Sequence, residues 1–322
     1  MLILQIEYVS NVSIHRVMSR KSQTNICPLC GSTDTCHFAD CKDHAVSNET
    51  YELVQCKSCG IIFTDGTPLE EHKENYSKLN QELTRADNPK RLLDKVYYYM
   101  RFISIRRRVR LILDQTRLKE GRLLNYGAKS GYFSSRMENI GWHVTSLEEY
   151  HEHRVLSLEL FHHRMMELTE IDSLPHGSYD AVTLWHTFEH ESNPGVLIDK
   201  IYSLLKPNGV LLIACPNTES YDALHYGREW AAWDVPRHRW HFNPSSLMSF
   251  CLRHKFILMY HKRMPFDVFY ISLLSEKYRG SHFAVLKGFF VGLHYWFKTI
   301  WKRDKSSSIV YIFRKKLNES NG

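Results

Sequence analysis

From Gly121 onward, short apolar runs alternate with stretches whose apolar residues recur every three or four positions. The runs Arg122–Tyr126, His143–Leu147, Ala181–Trp185, Val210–Ala214, Phe256–His261 and Ile309–Arg314 read as strands. Between them, Tyr132–Asn139, Glu149–His162, Pro194–Leu205 and Ser245–His254 read as helices. Turn chemistry separates these elements. Pro175-His-Gly-Ser precedes the third run, and the breaker Lys206-Pro-Asn-Gly209 precedes the fourth. Such alternation marks βαβ units around a parallel sheet. Upstream, Leu92, Leu93, Val96, Tyr99, Met100, Ile103, Val109 and Ile112 keep a helical period across 89–118, with Arg106 filling the one gap. Residues 1–24 have no strong periodicity and read as a flexible arm. There is no internal repeat.

Composition narrows the class. The 322 residues are 43% hydrophobic and 24% charged, values of a globular chain rather than a disordered or fibrous one. The net charge of +7 permits an anionic partner without demanding one. The opening Met1-Leu-Ile-Leu-Gln-Ile meets Glu7 too early for a secretory signal. The most apolar stretch, Phe283–Trp301, is interrupted by Lys287, His294 and Lys298, so no membrane span is expected. A cytoplasmic, reducing location follows, where clustered cysteines bind metal more often than they pair.

Six of the eight cysteines fall between Cys27 and Cys59. Cys27-Pro-Leu-Cys30-Gly and Cys56-Lys-Ser-Cys59-Gly form two matched knuckles. Each aims two thiolates at one ion, and the glycine that follows supplies the positive φ of the tight turn. Two knuckles make a closed, tetrahedral, all-sulfur site, which suits structural Zn2+. Cys36, Cys41, His37 and His44 lie in the connecting loop and read as spare residues. A closed site is scaffold, so the ribbon is expected to dock a substrate or a partner.

Arg122-Leu-Leu-Asn-Tyr-Gly127-Ala-Lys129-Ser-Gly131-Tyr-Phe is a strand, a glycine-punctuated turn and a helix start. Here a nucleotide-type ligand approaches backbone at the carboxyl end of a strand. Glu148 ends the next strand about 20 residues on, placed to accept ribose hydroxyls.

With Leu174-Pro-His-Gly-Ser-Tyr-Asp180 through His190, Leu204-Leu-Lys-Pro-Asn-Gly209, Cys215-Pro-Asn217 and Asp234-Val-Pro-Arg-His238-Arg-Trp-His241, residues 121–263 resemble a class I S-adenosylmethionine-dependent methyltransferase. The ribbon and the stretch around Pro265–Tyr278 are similar to a bacterial subfamily with an N-terminal cysteine ribbon. The resemblance implies an α/β, Rossmann-like, seven-stranded sheet with helices on both faces, its last strand antiparallel, and a small zinc ribbon ahead of it. It divides the chain into an arm at 1–24, a ribbon at 25–66, a helical linker at 67–120 and a methyltransferase domain at 121–322 with an insertion at 267–305.

By the same resemblance, S-adenosylmethionine would lie over Gly127 and Gly131, with Glu148 on the ribose, Glu170 near the adenine and Trp185 bordering the sulfonium. Asn125 stands where the family usually has an acid, and Lys129 where it has a glycine. The lysine adds a cation that could pair the cofactor carboxylate.

His186, Glu189, His190, His238 and His241 are the titratable groups nearest the implied cleft. His186 is the favoured base and His238 a second catalytic candidate, while Glu189 with His190 could hold a divalent ion. Trp230, Trp233 and Trp240 suit the wall of a sugar site or an ordinary core. No Asp-Pro-Pro-Tyr-like tetrapeptide stands at Trp185-His-Thr-Phe188, which argues for O- or C-methylation of a small molecule or glycan precursor. The alternative is a catalytically inactive binding or regulatory protein of the same fold. Arg106-Arg-Arg-Val-Arg110 reads as a solvated helix face, so nucleic acid is disfavoured. The aromatic insertion is read first as a cap on the site, then as a peripheral membrane contact through 283–301, then as a homodimer contact.

Overall fold

The computed structural model describes residues 26–66 and 92–316. The expected arm at 1–24 and the first part of the linker lie outside the described residues. From Leu92 on, the sequence-predicted elements form within a few residues of their expected bounds. The long helix is α1 (Leu92–Thr116), followed by β4 (Arg122–Tyr126), α2 (Tyr132–Glu138), β5 (His143–Leu147) and α3 (His151–Phe161). Then come β6 (Tyr179–Trp185), α4 (Pro194–Leu204), β7 (Leu205–Pro216) and the short α5 (Tyr221–Tyr226). β7 starts before its expected breaker. Tyr179 pairs with Leu205 and Ala181 with Val210, so Lys206–Gly209 bulges out of the ladder without ending it.

The main sheet has the order β5-β4-β6-β7-β10-β9, with β9 at Phe256–Arg263 and β10 at Ser308–Lys315. The first four strands are parallel, and β10 runs antiparallel to both its neighbours. The expected seven strands are therefore six. Where a further edge strand would lie beside β5, the Leu147–Met166 bridge stands alone. Glu167 ends that extension at once, because its side chain caps a 3-10 helix over Leu168–Ser173 in a reciprocal box with Glu170.

Both faces of the sheet are covered, which explains the nearly unbroken apolar runs. Neighbouring residues alternate between two cores. Leu124, Val182, Leu211 and Ile213 face Ile198 and Ile201 of α4, together with Leu247 and Phe250 of α6 (Pro244–Arg253). Leu123, Ala181, Leu212 and Ile312 face Val109 and Ile112 of α1, together with Phe133 and Met137 of α2.

The cysteine ribbon is a second sheet, with strands β1 (Thr35–Lys42), β2 (Thr50–Cys56), β3 (Ile62–Thr64) and β8 (Trp240–His241). β8 belongs to the main domain and pairs Ile62 with His241 and Phe63 with Trp240. Cys27, Cys56, Ile61 and Phe63 join the same core as Phe188, Trp240 and Phe242. Two further helices, α7 (Asp267–Tyr278) and α8 (Ala284–Trp301), form a hairpin between β9 and β10. Their close approach needs Gly288, where a Cβ would meet the Leu273 backbone at 2.5 Å. No helix among the described residues is long and apolar enough to cross a membrane.

Candidate functional site: a four-cysteine centre and a cleft at the carboxyl edge

The two knuckles fold alike. Gly31 and Gly60 have φ of 72° and 74°, and their N–H groups donate to Cys27 and Cys56 carbonyls at 2.9 Å. The Sγ atoms of Cys27, Cys30, Cys56 and Cys59 lie within 4.8 Å of one another. Cys27 to Cys59 is 3.8 Å and Cys30 to Cys56 is 3.6 Å. Four sulfurs bound tetrahedrally at about 2.3 Å would be about 3.8 Å apart, so the donor set fits Zn2+. The Cys59 hydrogen bond draws the Cys27 thiol down to about 5, and the same contact pushes Cys59 up. Cys36, Cys41, His37 and His44 join no metal-sized group among the described residues. Cys41 is buried in the ribbon, and His44 stacks on Tyr278 at 4.2 Å.

The turn after β4 is tightly closed. Gly127 has φ of 70°, and a Cβ there would stand 2.3 Å from Thr187 Oγ1 and 2.4 Å from Thr187 Cγ2. Only glycine fits that approach. Asn125, fully buried, accepts from Thr183 Oγ1 at 3.0 Å and donates to Ser134 Oγ at 2.9 Å. The chain of contacts continues through Ser146 and His163 to Glu138, each link 2.8 Å. An amide suits this position because one oxygen accepts while one nitrogen donates.

Glu148, 3% exposed, sits where β5 ends. Its carboxylate accepts from Lys129 N–H at 2.6 Å, from Tyr150 N–H at 3.1 Å and from His153 Nδ1 at 3.0 Å. Burial opposes ionisation, but these donors outweigh it and hold the carboxyl below its ordinary range. A carboxylate offers about four lone-pair directions. Three are taken, so Glu148 fits a ribose contact with one acceptor direction in hand. Lys129 has φ of 52° and an exposed side chain. Even so, enough protein surrounds its ammonium to lower its pKa, with Glu189 opposing.

His186, at φ 53° just past β6, lies between two carboxylates. Its Nε2 is 3.1 Å from Asp267 Oδ2, and its Nδ1 is 3.5 Å from Glu189 Oε1. Burial would favour the neutral ring, but Asp267 and then Glu189 override it and raise the His186 pKa. Asp267 opens α7, so the helical hairpin brings a carboxylate to His186. Glu189 is drawn down to about 2, since His186, His238 and His190 together overcome its burial. His190 and His238 rings meet at 4.7 Å, close to the Asp234–Arg237 ion pair at 2.6 Å. His241, pushed down to about 3 by burial and then by His238, has its Nε2 2.8 Å from Thr64 Oγ1 of the ribbon.

Of the remaining expected residues, the tryptophans belong to the cores and Glu170 caps a 3-10 helix. Trp185 is buried against Phe133 and beneath Arg108, in the α1-side core. The Glu170 carboxylate accepts from Glu167 N–H at 2.7 Å. Trp230, Trp233 and Trp240 are core, their N–H groups donating to Asp222, Gly227 and Glu191. Sequence reasoning missed Thr187, His153 and Asp267. Asp267 carried a signal, as a lone acid opening the helix of the insertion, but nothing in the sequence pointed it at His186.

Residues 97–256 match the family described as methyltransferase domain. The chain is 32% identical over 145 residues to a ubiquinone biosynthesis O-methyltransferase of Xanthomonas euvesicatoria pv. vesicatoria, covering 42% of this chain and 61% of that protein. It is 28% identical over 144 residues to the enzyme of the same name from Xanthomonas campestris pv. campestris, covering 42% of this chain. It spans 60% of the length of that relative. Among solved structures, it is similar to the Burkholderia thailandensis 1,6-didemethyltoxoflavin-N1-methyltransferase at 14% identity and TM-score 0.45, over 80% of this chain and 96% of that one. A SAM-dependent methyltransferase from Archaeoglobus fulgidus matches at 17% identity and TM-score 0.44, over 67% of this chain and 94% of that one. The matched residues span the glycine turn, Glu148 and His186, and form a class I S-adenosylmethionine-dependent methyltransferase domain.

Proposed function

We propose that this protein transfers the methyl group of S-adenosylmethionine to an oxygen or carbon of a small-molecule or glycan-precursor acceptor. The observation that carries this reading is the meeting of three strand ends. The β4 turn, Glu148 after β5 and His186 after β6 converge at the carboxyl edge of the parallel strands, where ligands of open α/β sheets bind. When bound, the cofactor supplies an electrophilic methyl group on its sulfonium. The chain's own residues bind and orient it. Gly127 and Gly131 let backbone approach the methionine half, with Asn125 fixing the strand behind them. Lys129 pairs with the carboxylate, Glu148 takes the ribose, Glu170 lies toward the adenine and Trp185 backs the β6 end. His186 accepts the acceptor's proton on a ring nitrogen, and Asp267 holds that ring in place. His238 orients the acceptor. Because the flanking carboxylates favour the charged ring, activity should rise with pH through the raised His186 pKa.

A second reading, a binding or regulatory protein of this fold, is favoured by one observation. Thr187 closes over Gly127, while Glu148 spends three of its acceptor directions on protein donors. Calorimetric titration of S-adenosylmethionine into wild type, Lys129→Gly and Lys129→Glu separates the two. Measurable wild-type binding that Lys129→Glu abolishes supports the enzyme. A non-binding parent whose Lys129→Gly variant binds refutes it.

The four-cysteine centre is proposed to hold one structural Zn2+ in a cytoplasmic protein. The outward face of α8 and the residue before it, Phe283, expose Phe289, Phe290, Phe297 and Trp301 beside Lys287 and Lys298. We propose that this basic, aromatic face rests on anionic lipid and presents the cleft to a membrane-linked acceptor. Equal co-sedimentation of wild type and Phe290→Glu with anionic vesicles would refute that contact. Dimers formed through the same face would assign it to self-association instead.

A further inference from the structure

We propose that Glu189, His190 and His238 form a second metal site, binding one divalent transition-metal ion at the mouth of the cleft. One ligand atom from each lies within 4.8 Å of the others. Ligands held tetrahedrally at about 2.1 Å from a common ion are about 3.4 Å apart, so closure needs up to about 1.4 Å of approach between ligand atoms.

Three features make this more than a chance cluster. Glu189 is 1% exposed, and among the described residues neither of its oxygens accepts a hydrogen bond. His186 Nδ1 stands off at 3.5 Å. A buried carboxylate whose oxygens accept no hydrogen bond keeps its lone pairs free, and a coordinated cation would satisfy them.

Both imidazoles are also preset as ligands. His190 Nδ1 is 3.0 Å from the Arg237 carbonyl, and His238 Nδ1 is 2.9 Å from the Ala232 carbonyl. A carbonyl only accepts, so Nδ1 carries a proton in each ring and Nε2 is the nitrogen left for a metal, with His238 Nε2 3.6 Å from Asp234 Oδ2. Histidine donating one ring N–H to a backbone carbonyl while the other nitrogen binds metal is a recurrent arrangement.

Finally, the two loops are clamped. Arg239 N–H donates to the Glu189 carbonyl at 2.8 Å, and His238 N–H donates to the Asp234 carbonyl at 3.0 Å. The competing carboxylate, Asp234, is held by Arg237 at 2.6 and 2.8 Å.

Two imidazoles and one carboxylate select zinc, iron(II), cobalt(II) or nickel(II) over magnesium or calcium. Three protein ligands leave coordination positions open, and His190 faces the solvent side of the cluster. The site therefore differs in kind from the closed four-cysteine centre. Resting on the methyl-transfer reading, such an ion beside His186 would bind an acceptor hydroxyl and lower its pKa.

The test titrates cobalt(II) into the full-length protein with zinc already in the four-cysteine centre. One further equivalent is expected, with visible d–d bands and none of the near-ultraviolet charge transfer that sulfur ligands give. His190→Ala and Glu189→Gln should each weaken that binding at least tenfold, the lower bound even for outer-shell losses. His190 lies at the rim and glutamine is isosteric with glutamate. A thermal melt matching wild type shows that either variant is folded. No second equivalent, uptake showing only sulfur charge transfer, or binding that survives both substitutions would overturn the proposal. Titrating S-adenosylmethionine into the same samples keeps the two readings apart. Cobalt uptake without cofactor binding would refute methyl transfer and leave the metal site standing.

Discussion

Gly127→Ala tests the closed turn on which the cleft is built. The substitution forces an L side chain into φ of 70°, which costs about 1–2 kcal/mol. Its Cβ would also stand 2.3 and 2.4 Å from the two terminal atoms of Thr187 and 2.9 Å from its Cβ. Thr187 is β-branched and 9% exposed, so it has little freedom to swing aside. Overpacking of that kind costs about 1–3 kcal/mol. Together the loss should be about 2–5 kcal/mol. Thr187→Ala removes the two closest atoms but leaves the backbone strain. In that background Gly127→Ala should cost about 1–3 kcal/mol less. Urea unfolding of the four proteins, with slopes compared to confirm a common unfolding transition, measures the cycle. A single-mutant loss under about 1 kcal/mol, or the same loss in both backgrounds, would mean that Thr187 does not sit over the turn.

Glu148→Gln should flatten the acid limb of stability. The lowered Glu148 pKa contributes stability above the unfolded value of about 4.3, lost as pH falls through the folded pKa. Parallel acid-unfolding curves for wild type and variant would contradict this. Glu148→Ala should also weaken S-adenosylhomocysteine by about 1.5–3 kcal/mol, and an unchanged Kd would remove Glu148 from the ribose. Asp267→Asn should lower the raised His186 pKa. The stability gap to wild type is then full below the unfolded histidine value of about 6.5, and it closes as pH rises through the folded pKa. A gap that widens with pH refutes the pairing. Cys56→Ser should abolish tight zinc binding and lower the melting temperature of the whole domain, because β3 pairs with β8 and Phe63 packs in the main core. Metal analysis finding no zinc in freshly purified wild type would refute the centre itself.

The parallel sheet was legible because its strands are buried on both faces. Val182, Leu184, Leu211 and Ile213 face one core and Ala181, Leu212 and Ala214 the other, so the sequence shows apolar runs bounded by turns. The knuckles were legible because C-x2-C-G geometry is local. What could not be read was set by distant contacts. The edge strand beyond β5 shrinks to Met166 because Glu167 and Glu170 cap each other, a choice that competes with pairing. The ribbon's union with the domain rests on the two-residue strand Trp240–His241, too short to leave a period. Glu148 was placed by spacing, but its ties to Lys129 and His153 depend on how the turn packs. Trp185 looked like a site residue from its place at a strand end, whereas strand alternation points it into the α1-side core. Asp267 reaches His186 only because the insertion folds back over the sheet edge.

Hydrogen exchange with and without S-adenosylhomocysteine, on zinc-loaded full-length protein, tests the central claim most directly. The account predicts slowed exchange at amides 127–131 and 148–150, the turn after β4 and the end of β5, with the ribbon strands unchanged. No protection at saturating ligand, or protection confined to segments away from those two, would contradict it.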